Sequence, residues 1–241
     1  MILNQGDSAF ARIMKHVRAS NLTAFGVRIE ENRYEIMAAW IDAMMLEGHD
    51  RVVVYLSLSK WFSMFETIRN DYKDRITIVD ATGMSYDELF DDMKKKCSYG
   101  NALFFIDVLW AFSFHESAAV MNYAMDTIRM KKFAMANDIS IIVNKFMSCY
   151  MYQREGLHDD TPLLRDFEGE DYLASISDCV ISLYTPSKLN IFVDERGNDL
   201  RDVTFFKVLK SPISAPFDIK TRKLSIWDYM ILPDEEESNF P

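Results

Sequence analysis

Apolar, β-branched runs alternate with helical segments along most of this chain, and that alternation limits the possible folds more than any other feature. The strand-like runs include "RVVVYLSL" from Arg51 to Leu58, "NALFFIDVLW" from Asn101 to Trp110 and "ISIIVNKF" from Ile139 to Phe146. Such continuous apolar runs are typical of strands that are covered on both faces. Connections long enough to hold a helix predict parallel crossovers, and therefore an α/β fold with a mainly parallel central sheet.

Helical signals fill the segments between these runs. Glu88 follows Ser85 at the spacing of a capping box, which predicts that a helix starts in "YDELFDDMKKK". The other predicted helices span Ser8 to Ala19, Tyr34 to Glu47, Trp61 to Tyr72 and Ser117 to Ala136. Further strands are predicted from Leu22 to Gly26 and in "RITIVD", "DCVISLY" and "DVTFFKVLK". The last two strands are joined through a turn in "ERGND", which predicts an antiparallel edge at the C-terminal end of the sheet.

Composition indicates one globular domain and disfavours several classes of protein. The chain has 241 residues, of which 49% are hydrophobic, and its 8 Gly and 6 Pro form no internal linker. We divide it into an N-terminal helix (residues 1–20), a main domain (21–232) and an acidic tail (233–241). A net charge of −10 disfavours nucleic acid as a partner of the isolated chain. No run reaches the roughly 18 to 20 apolar residues of a membrane-spanning helix, and no secretory signal is present, so a cytoplasmic protein is expected.

The three cysteines, Cys97, Cys149 and Cys179, lie far apart in the sequence and have no metal-type spacing. They are expected to be reduced, and the four histidines are too dispersed to complete a triad or a metal site. No metal is therefore expected, and no catalytic group is identified from the sequence.

Several motifs occur in an order that resembles one known family. In "TPLLRDFEGEDYLASISDCVISLY", from Thr161 to Tyr184, the matching residues are Pro162, Leu164, Asp166, Phe167, Asp178, Val180, Leu183 and Tyr184. "IVDATGMSYDEL" and "NALFFID" match two further motifs. Over roughly residues 20 to 225 the chain resembles the ATPase domain of the DnaB-type replicative helicases. The resemblance implies a RecA-like, three-layer α/β/α fold with an antiparallel C-terminal edge.

The resemblance also aligns "GVRIEENRY" with the family's phosphate loop, G-x-x-x-x-G-K-[ST]. Gly26 occupies the first position, but Glu31 replaces the second glycine, Asn32 the lysine and Arg33 the Ser/Thr. In an intact loop, backbone N–H groups and the lysine hold the phosphates while the hydroxyl binds Mg²⁺. The change places carboxylates at the start of the following helix, where they satisfy its dipole in place of a phosphate.

Other positions of the implied site are altered as well. Ser59 stands in place of the catalytic glutamate, and Phe146 in place of the polar sensor that follows a core strand. Asp107 matches the Walker B aspartate. In the late K-x-R element Lys207 matches the lysine, Leu209 replaces the arginine and Lys210 is one place away.

The loops that line the DNA channel in this family correspond to two aromatic segments here. Trp110, Phe112 and Phe114 lie in the first, and Tyr150, Tyr152 and Arg154 lie in the second. Neither segment carries the row of basic side chains that would neutralise several phosphates. Both are candidate interaction loops.

The leading hypothesis is a catalytically silent RecA/DnaB-like protein with no cofactor. It would act through contact with a RecA-like ATPase, a replicative helicase or copies of itself, in DNA replication or recombination, including that of a phage or mobile element. The alternative is a divergent ATPase that binds ATP and Mg²⁺ at a rearranged site through Arg33, Asp107, Lys145 and Lys207. A second alternative is an accessory protein that stacks single-stranded nucleic acid on its aromatic loops.

Overall fold

The computed structural model describes residues 9–27, 33–46, 51–56, 65–66, 69, 71–97, 102–107, 119–147, 161–167, 172–223 and 229–231. Its α-helices are α1 (Ala9–Arg18), α2 (Arg33–Leu46), α3 (Tyr86–Cys97), α4 (Ala119–Asn137) and α5 (Leu173–Ile176). Its strands are β1 (Leu22–Val27), β2 (Arg51–Leu56), β3 (Ile76–Asp80), β4 (Ala102–Ile106), β5 (Ser140–Phe146), β6 (Cys179–Tyr184), β7 (Val203–Lys210), β8 (Phe217–Lys223) and β9 (Tyr229–Ile231).

The strands form one nine-stranded sheet in the order β3-β2-β4-β5-β1-β6-β7-β8-β9. The strands from β3 to β6 in this order run parallel, and β7, β8 and β9 are added antiparallel at one edge. The predicted α/β class, with a mainly parallel sheet and an antiparallel C-terminal edge, is confirmed. The turn predicted in "ERGND" is also present, because Gly197 adopts a positive φ of 83° and its N–H donates to the carbonyl of Asp194.

Helices cover both faces of the sheet, which produces the three layers. Residues of α1 and α2 pack in one core cluster, and residues of α3, α4 and α5 pack in a second cluster across the sheet. Trp40 of α2 is fully buried in the first cluster, with its ring centroid 4.8 Å from that of Phe25 and 5.8 Å from that of Phe105. Large rings therefore fill the space between α2 and the central strands.

The N-terminal end of α3 has the predicted capping box. The backbone N–H and the hydroxyl of Ser85 donate to Glu88 Oε2 at 2.7 and 2.8 Å, and the N–H of Glu88 donates to Ser85 Oγ at 3.3 Å. These bonds satisfy donors that the helix itself cannot pair. The spacing of Ser85 and Glu88 was therefore sufficient to locate this helix start.

Asp178 ties the beginning of β6 to the beginning of β1 and to α4. Its Oδ2 accepts the backbone N–H groups of Asn21 and Leu22 at 3.1 and 3.2 Å, and its Oδ1 accepts Lys131 Nζ at 2.5 Å. Burial raises the pKa of the Asp178 carboxyl, but the bonds from Lys131 and the two backbone groups outweigh it and hold that pKa below its usual range. This aspartate, one of those that carried the family resemblance, has a structural role at the amino end of the strands.

Candidate functional site

Three of the predicted site positions lie where the parallel strands end. Gly26 is near the end of β1, Asp107 directly follows β4 and Phe146 is the last residue of β5. Because β5 pairs with β1 on one side and with β4 on the other, these positions are neighbours along one edge of the sheet. Open α/β sheets bind their ligands at this carboxyl edge.

A strand–loop–helix unit stands at this edge, as the resemblance implies. β1 ends at Val27 and α2 begins at Arg33. The alignment with the phosphate loop thus assigns to the first residue of α2 the position that a Ser or Thr occupies in the family motif. Glu31 and Asn32 lie outside the described residues.

Asp107 is fully buried at the centre of the edge. Its backbone N–H donates to the carbonyl of Tyr55 at 2.9 Å, which fixes the residue to the end of β2. In P-loop NTPases an aspartate after a core strand holds Mg²⁺. The carboxylate of Asp107 therefore has the chemistry and the strand position for that role.

A row of residues in register crosses the sheet beside Gly26. Gly26 pairs with Lys145 of β5 and with Ser182 of β6, Ser182 pairs with Lys207 of β7, and Lys207 pairs with Asp218 of β8. Paired residues point to the same face of a sheet. Since Leu22 and Ala24 of β1 belong to the core cluster of α3, α4 and α5, this row lies on that face.

The ammonium of Lys207 forms an ion pair with Asp218 Oδ2, and both residues are neighbours in the β7–β8 ladder. The Lys207 side chain is 13% exposed and that of Asp218 is 48% exposed. The cation that aligns with the family's K-x-R element is therefore neutralised within its own chain. Sequence reasoning missed Asp218 because it did not predict β8, and the pairing depends on that strand.

Lys210 lies away from this edge. Its Nζ donates to the carbonyls of Ala174 and Ser175 at 3.3 and 3.1 Å, near the C-terminal end of α5. Burial, together with the charge of Lys131, lowers the pKa of Lys210. Lys210 is therefore engaged in capping a helix and does not substitute for the arginine that Leu209 replaces.

Phe167 covers Gly26. A Cβ placed on Gly26 would lie 3.0 Å or less from three carbons of the Phe167 ring. Lys145, the partner of Gly26 in β5, donates from Nζ to the Phe167 carbonyl at 3.1 Å. The segment that carries the strongest part of the resemblance thus packs directly on the end of β1.

The remaining predicted site residues are not described. Ser59, Trp110, Phe112, Phe114, Tyr150, Tyr152 and Arg154 lie outside the described ranges, as does Cys149. Cys179 is buried in β6, and burial raises the pKa of its thiol to about 12, which disfavours the reactive thiolate. Within the described part of the chain, no group of three or more His, Cys, Asp and Glu residues could hold a metal ion. In the same part of the chain, no helix has the length and apolar character needed to cross a membrane.

Comparison with solved structures identifies the fold, whereas no family model and no curated protein matches the sequence. The ATPase domain of one solved helicase is similar with a TM-score of 0.74 and 13% identity, over 93% of this chain and 90% of that one. A DnaB-like replicative helicase, described with its interactions with primase, has a TM-score of 0.69 and 13% identity over 88% of this chain. This chain spans 57% of the length of that second helicase. The fold is therefore that of a DnaB-type, RecA-like ATPase domain, as the sequence resemblance predicted.

Proposed function

We propose that this chain is a catalytically silent RecA/DnaB-like domain that acts through protein–protein contact in DNA replication or recombination. One observation carries the proposal. α2 begins at Arg33, directly after Glu31 and Asn32, so the turn that would hold a phosphate and Mg²⁺ has neither a lysine nor a hydroxyl at the aligned positions. A helix N-terminus attracts a phosphate partly through its dipole, and nearby carboxylates oppose a second anion there.

The ion pair of Lys207 supports the same conclusion. A cation that stabilises the phosphates on a neighbouring subunit must leave its own chain's carboxylates in order to do so. Lys207 is largely buried against Asp218, and Leu209 supplies no second cation. These residues do not fit the role of a trans-acting phosphate contact, so we derive no step that involves ATP.

The partner that we propose is a protein with the same kind of fold, either a RecA-like ATPase, a replicative helicase or a second copy of this chain. The similar DnaB-like helicase is described with its interactions with primase, which supports a protein partner for a domain of this fold. Exposed apolar side chains such as Met125 and Met135 on α4 provide adaptable contact area. Assembly without nucleotide is then the expected behaviour.

Asp107 favours a second candidate function. A fully buried aspartate at the carboxyl edge is the one described position where the family's ATP chemistry is retained. A divergent ATPase could use it to bind Mg²⁺ through water while other cations contact the phosphates. The two candidates differ in whether the domain binds nucleotide.

Isothermal titration with Mg-ATP and with a non-hydrolysable analogue separates them. Under the silent-domain proposal, we expect no heat of binding at millimolar nucleotide. Micromolar binding that is lost in Asp107→Asn and kept in Asp91→Asn would support the divergent ATPase and overturn the proposal. Asp91 is a matched control because it is exposed on α3, far along the chain from the site.

Two further measurements test the remaining parts of the proposal. Sedimentation velocity over a range of protein concentrations tests self-association, which should not respond to nucleotide if the domain is silent. Binding to a labelled single-stranded oligonucleotide at two salt concentrations tests the accessory-protein alternative. Strong binding that weakens steeply with salt would favour that alternative.

A further inference from the structure

We propose that Gly26 and Phe167 form a packing lock that holds residues 161–167 on the carboxyl edge of β1. In this lock the ring of Phe167 fills the space that any larger side chain at position 26 would need. Gly26 is then required for packing, whether or not the edge binds a nucleotide. The inference goes beyond the proposed function and does not depend on it.

The conformation of Gly26 gives no other reason for a glycine. Positive φ angles among the described glycines occur at Gly83 and Gly197, so position 26 has strand geometry that any L-residue can adopt. Glycine inside a strand weakens the strand and often marks a close approach by another group. Here the approaching group is an aromatic ring that is fully buried.

The ring cannot move aside without disrupting its own segment. Residues Leu164–Phe167 form a 3₁₀ turn in which the Asp166 N–H donates to the Leu163 carbonyl at 2.9 Å. The buried Asp166 carboxylate accepts the Leu163 N–H at 2.7 Å, and Lys145 Nζ holds the Phe167 carbonyl at 3.1 Å. The backbone on which the ring is mounted is therefore fixed from both sides.

The lock gives this edge of the domain a fixed conformation that needs no ligand. Phe167 belongs to the core cluster of α3, α4 and α5, so the segment 161–167 is continuous with that core. The carboxyl edge of β1 is then closed over by the chain's own side chains. A change at either member should consequently be felt at the other, which is a property that can be measured.

A double-mutant cycle tests this coupling, with thermal unfolding of the full chain in the absence of nucleotide as the readout. Gly26→Ala should lower Tm by roughly 4 to 10 °C, because the added methyl overpacks the ring. Phe167→Leu should lower Tm by a smaller amount, roughly 3 to 6 °C, through lost packing. In the double variant the methyl occupies space that the ring has left, so its Tm should be close to that of Phe167→Leu alone.

Phe104→Leu provides the matched control. Phe104 is also fully buried in the cluster of α3, α4 and α5, but its ring is not among the atoms that a Cβ on Gly26 would meet. Combined with Gly26→Ala, this change should give an additive loss of Tm. If Gly26→Ala alone does not fold, a folded double variant with Phe167→Leu supports the lock and a misfolded one overturns it.

Without the lock the result has the opposite sign. Replacing a strand glycine by alanine where space is free stabilises a protein, since it restricts the unfolded chain. An unchanged or raised Tm for Gly26→Ala would therefore overturn the inference, as would full additivity of the two losses. Neither outcome bears on nucleotide binding, so the proposed function would stand or fall separately.

Hydrogen exchange locates the effect in the molecule. The lock predicts that Phe167→Leu speeds amide exchange in residues 161–167 at least about 10-fold, while β3 at the far edge of the sheet keeps its protection. Equal acceleration in both places, or no acceleration in residues 161–167, would contradict a local lock.

Discussion

At the scale of single residues, Asp178 is the carboxylate on which most of the described structure depends. It joins two strands and a helix through bonds to backbone and to Lys131. Asp178→Asn removes the charge and should lower the free energy of unfolding by about 2 kcal/mol, because hydrogen bonds to charged groups are the stronger ones. Urea denaturation at pH 7 measures this difference, with Asp91→Asn as a control that should change it by less than about 0.5 kcal/mol.

The pH dependence of the Asp178 effect follows from its lowered pKa. The folded-state pKa lies below the ordinary value of 3.8, so the stabilisation is present above that value and is lost as pH falls through the folded pKa. The difference between the wild type and Asp178→Asn should therefore be the same at pH 7 and at pH 5. A difference that already shrinks between these two pH values would contradict this assignment.

Single residues could be predicted from the sequence only where their partners are local. Ser85 and Glu88 are three positions apart, and their spacing was enough to predict the bonds that the structure shows. Lys207 and Asp218 meet across two strands, and Phe167 meets Gly26 from a distant segment. No short motif records such pairings, because they depend on how the sheet is assembled.

At the scale of elements, α1 is attached to the C-terminal strands through His16. His16 Nδ1 lies 2.7 Å from Ser211 Oγ, and its ring centroid is 4.9 Å from that of Phe217 at the start of β8. Burial, followed by the charge of Lys15, lowers the pKa of His16. Protonation of the ring therefore opposes folding and weakens the attachment of α1.

The sign of this effect is opposite to that of a histidine which gains a negative partner. His16 is protonated more readily in the unfolded chain, where its pKa is the ordinary 6.5, so stability is lost as pH falls below that value. Between pH 7.5 and pH 5 the wild type should lose roughly 1 kcal/mol more than His16→Gln, once partial solvent screening is allowed for. Equal losses in the two proteins, measured by urea denaturation, would show that His16 does not titrate in this way.

Elements with strong periodic signals were predictable, and short or half-polar ones were not. The buried strands β2, β4 and β5 and the helices α2 and α4 lie where apolar runs predicted them. α5 has four residues, too few for a helical period, and β8 reads "FDIKTRK", with charges between its apolar residues. Both elements are recognisable only from the neighbours on which they pack.

At the scale of the whole molecule, the similarity to DnaB-type domains extends over 93% of the chain at 13% identity. The two core clusters and the order of the strands can be maintained by apolar side chains of many kinds, since cores tolerate extensive substitution when patterning is kept. Phosphate chemistry has no such tolerance, because it needs particular groups at particular positions. A fold of this type can therefore be retained after its nucleotide site is lost.

The last prediction follows from that separation of scaffold and chemistry. If only the loop residues are missing, the triple variant Glu31→Gly, Asn32→Lys and Arg33→Thr should acquire binding of Mg-ATP. At a nucleotide concentration about 100 times Kd, binding stabilises a protein by about 2.7 kcal/mol, which raises Tm by roughly 5 to 10 °C for a domain of this size. The wild type should show no such shift.

A second triple variant with Asn32→Ala in place of Asn32→Lys separates phosphate binding from a general effect on the loop. It removes the same acidic and basic groups but lacks the lysine that neutralises the phosphates, so Mg-ATP should not change its Tm. An equal shift in both triple variants would indicate binding that does not use the restored motif. No shift in the lysine variant would mean that the scaffold, and not the loop alone, differs from that of a nucleotide-binding domain.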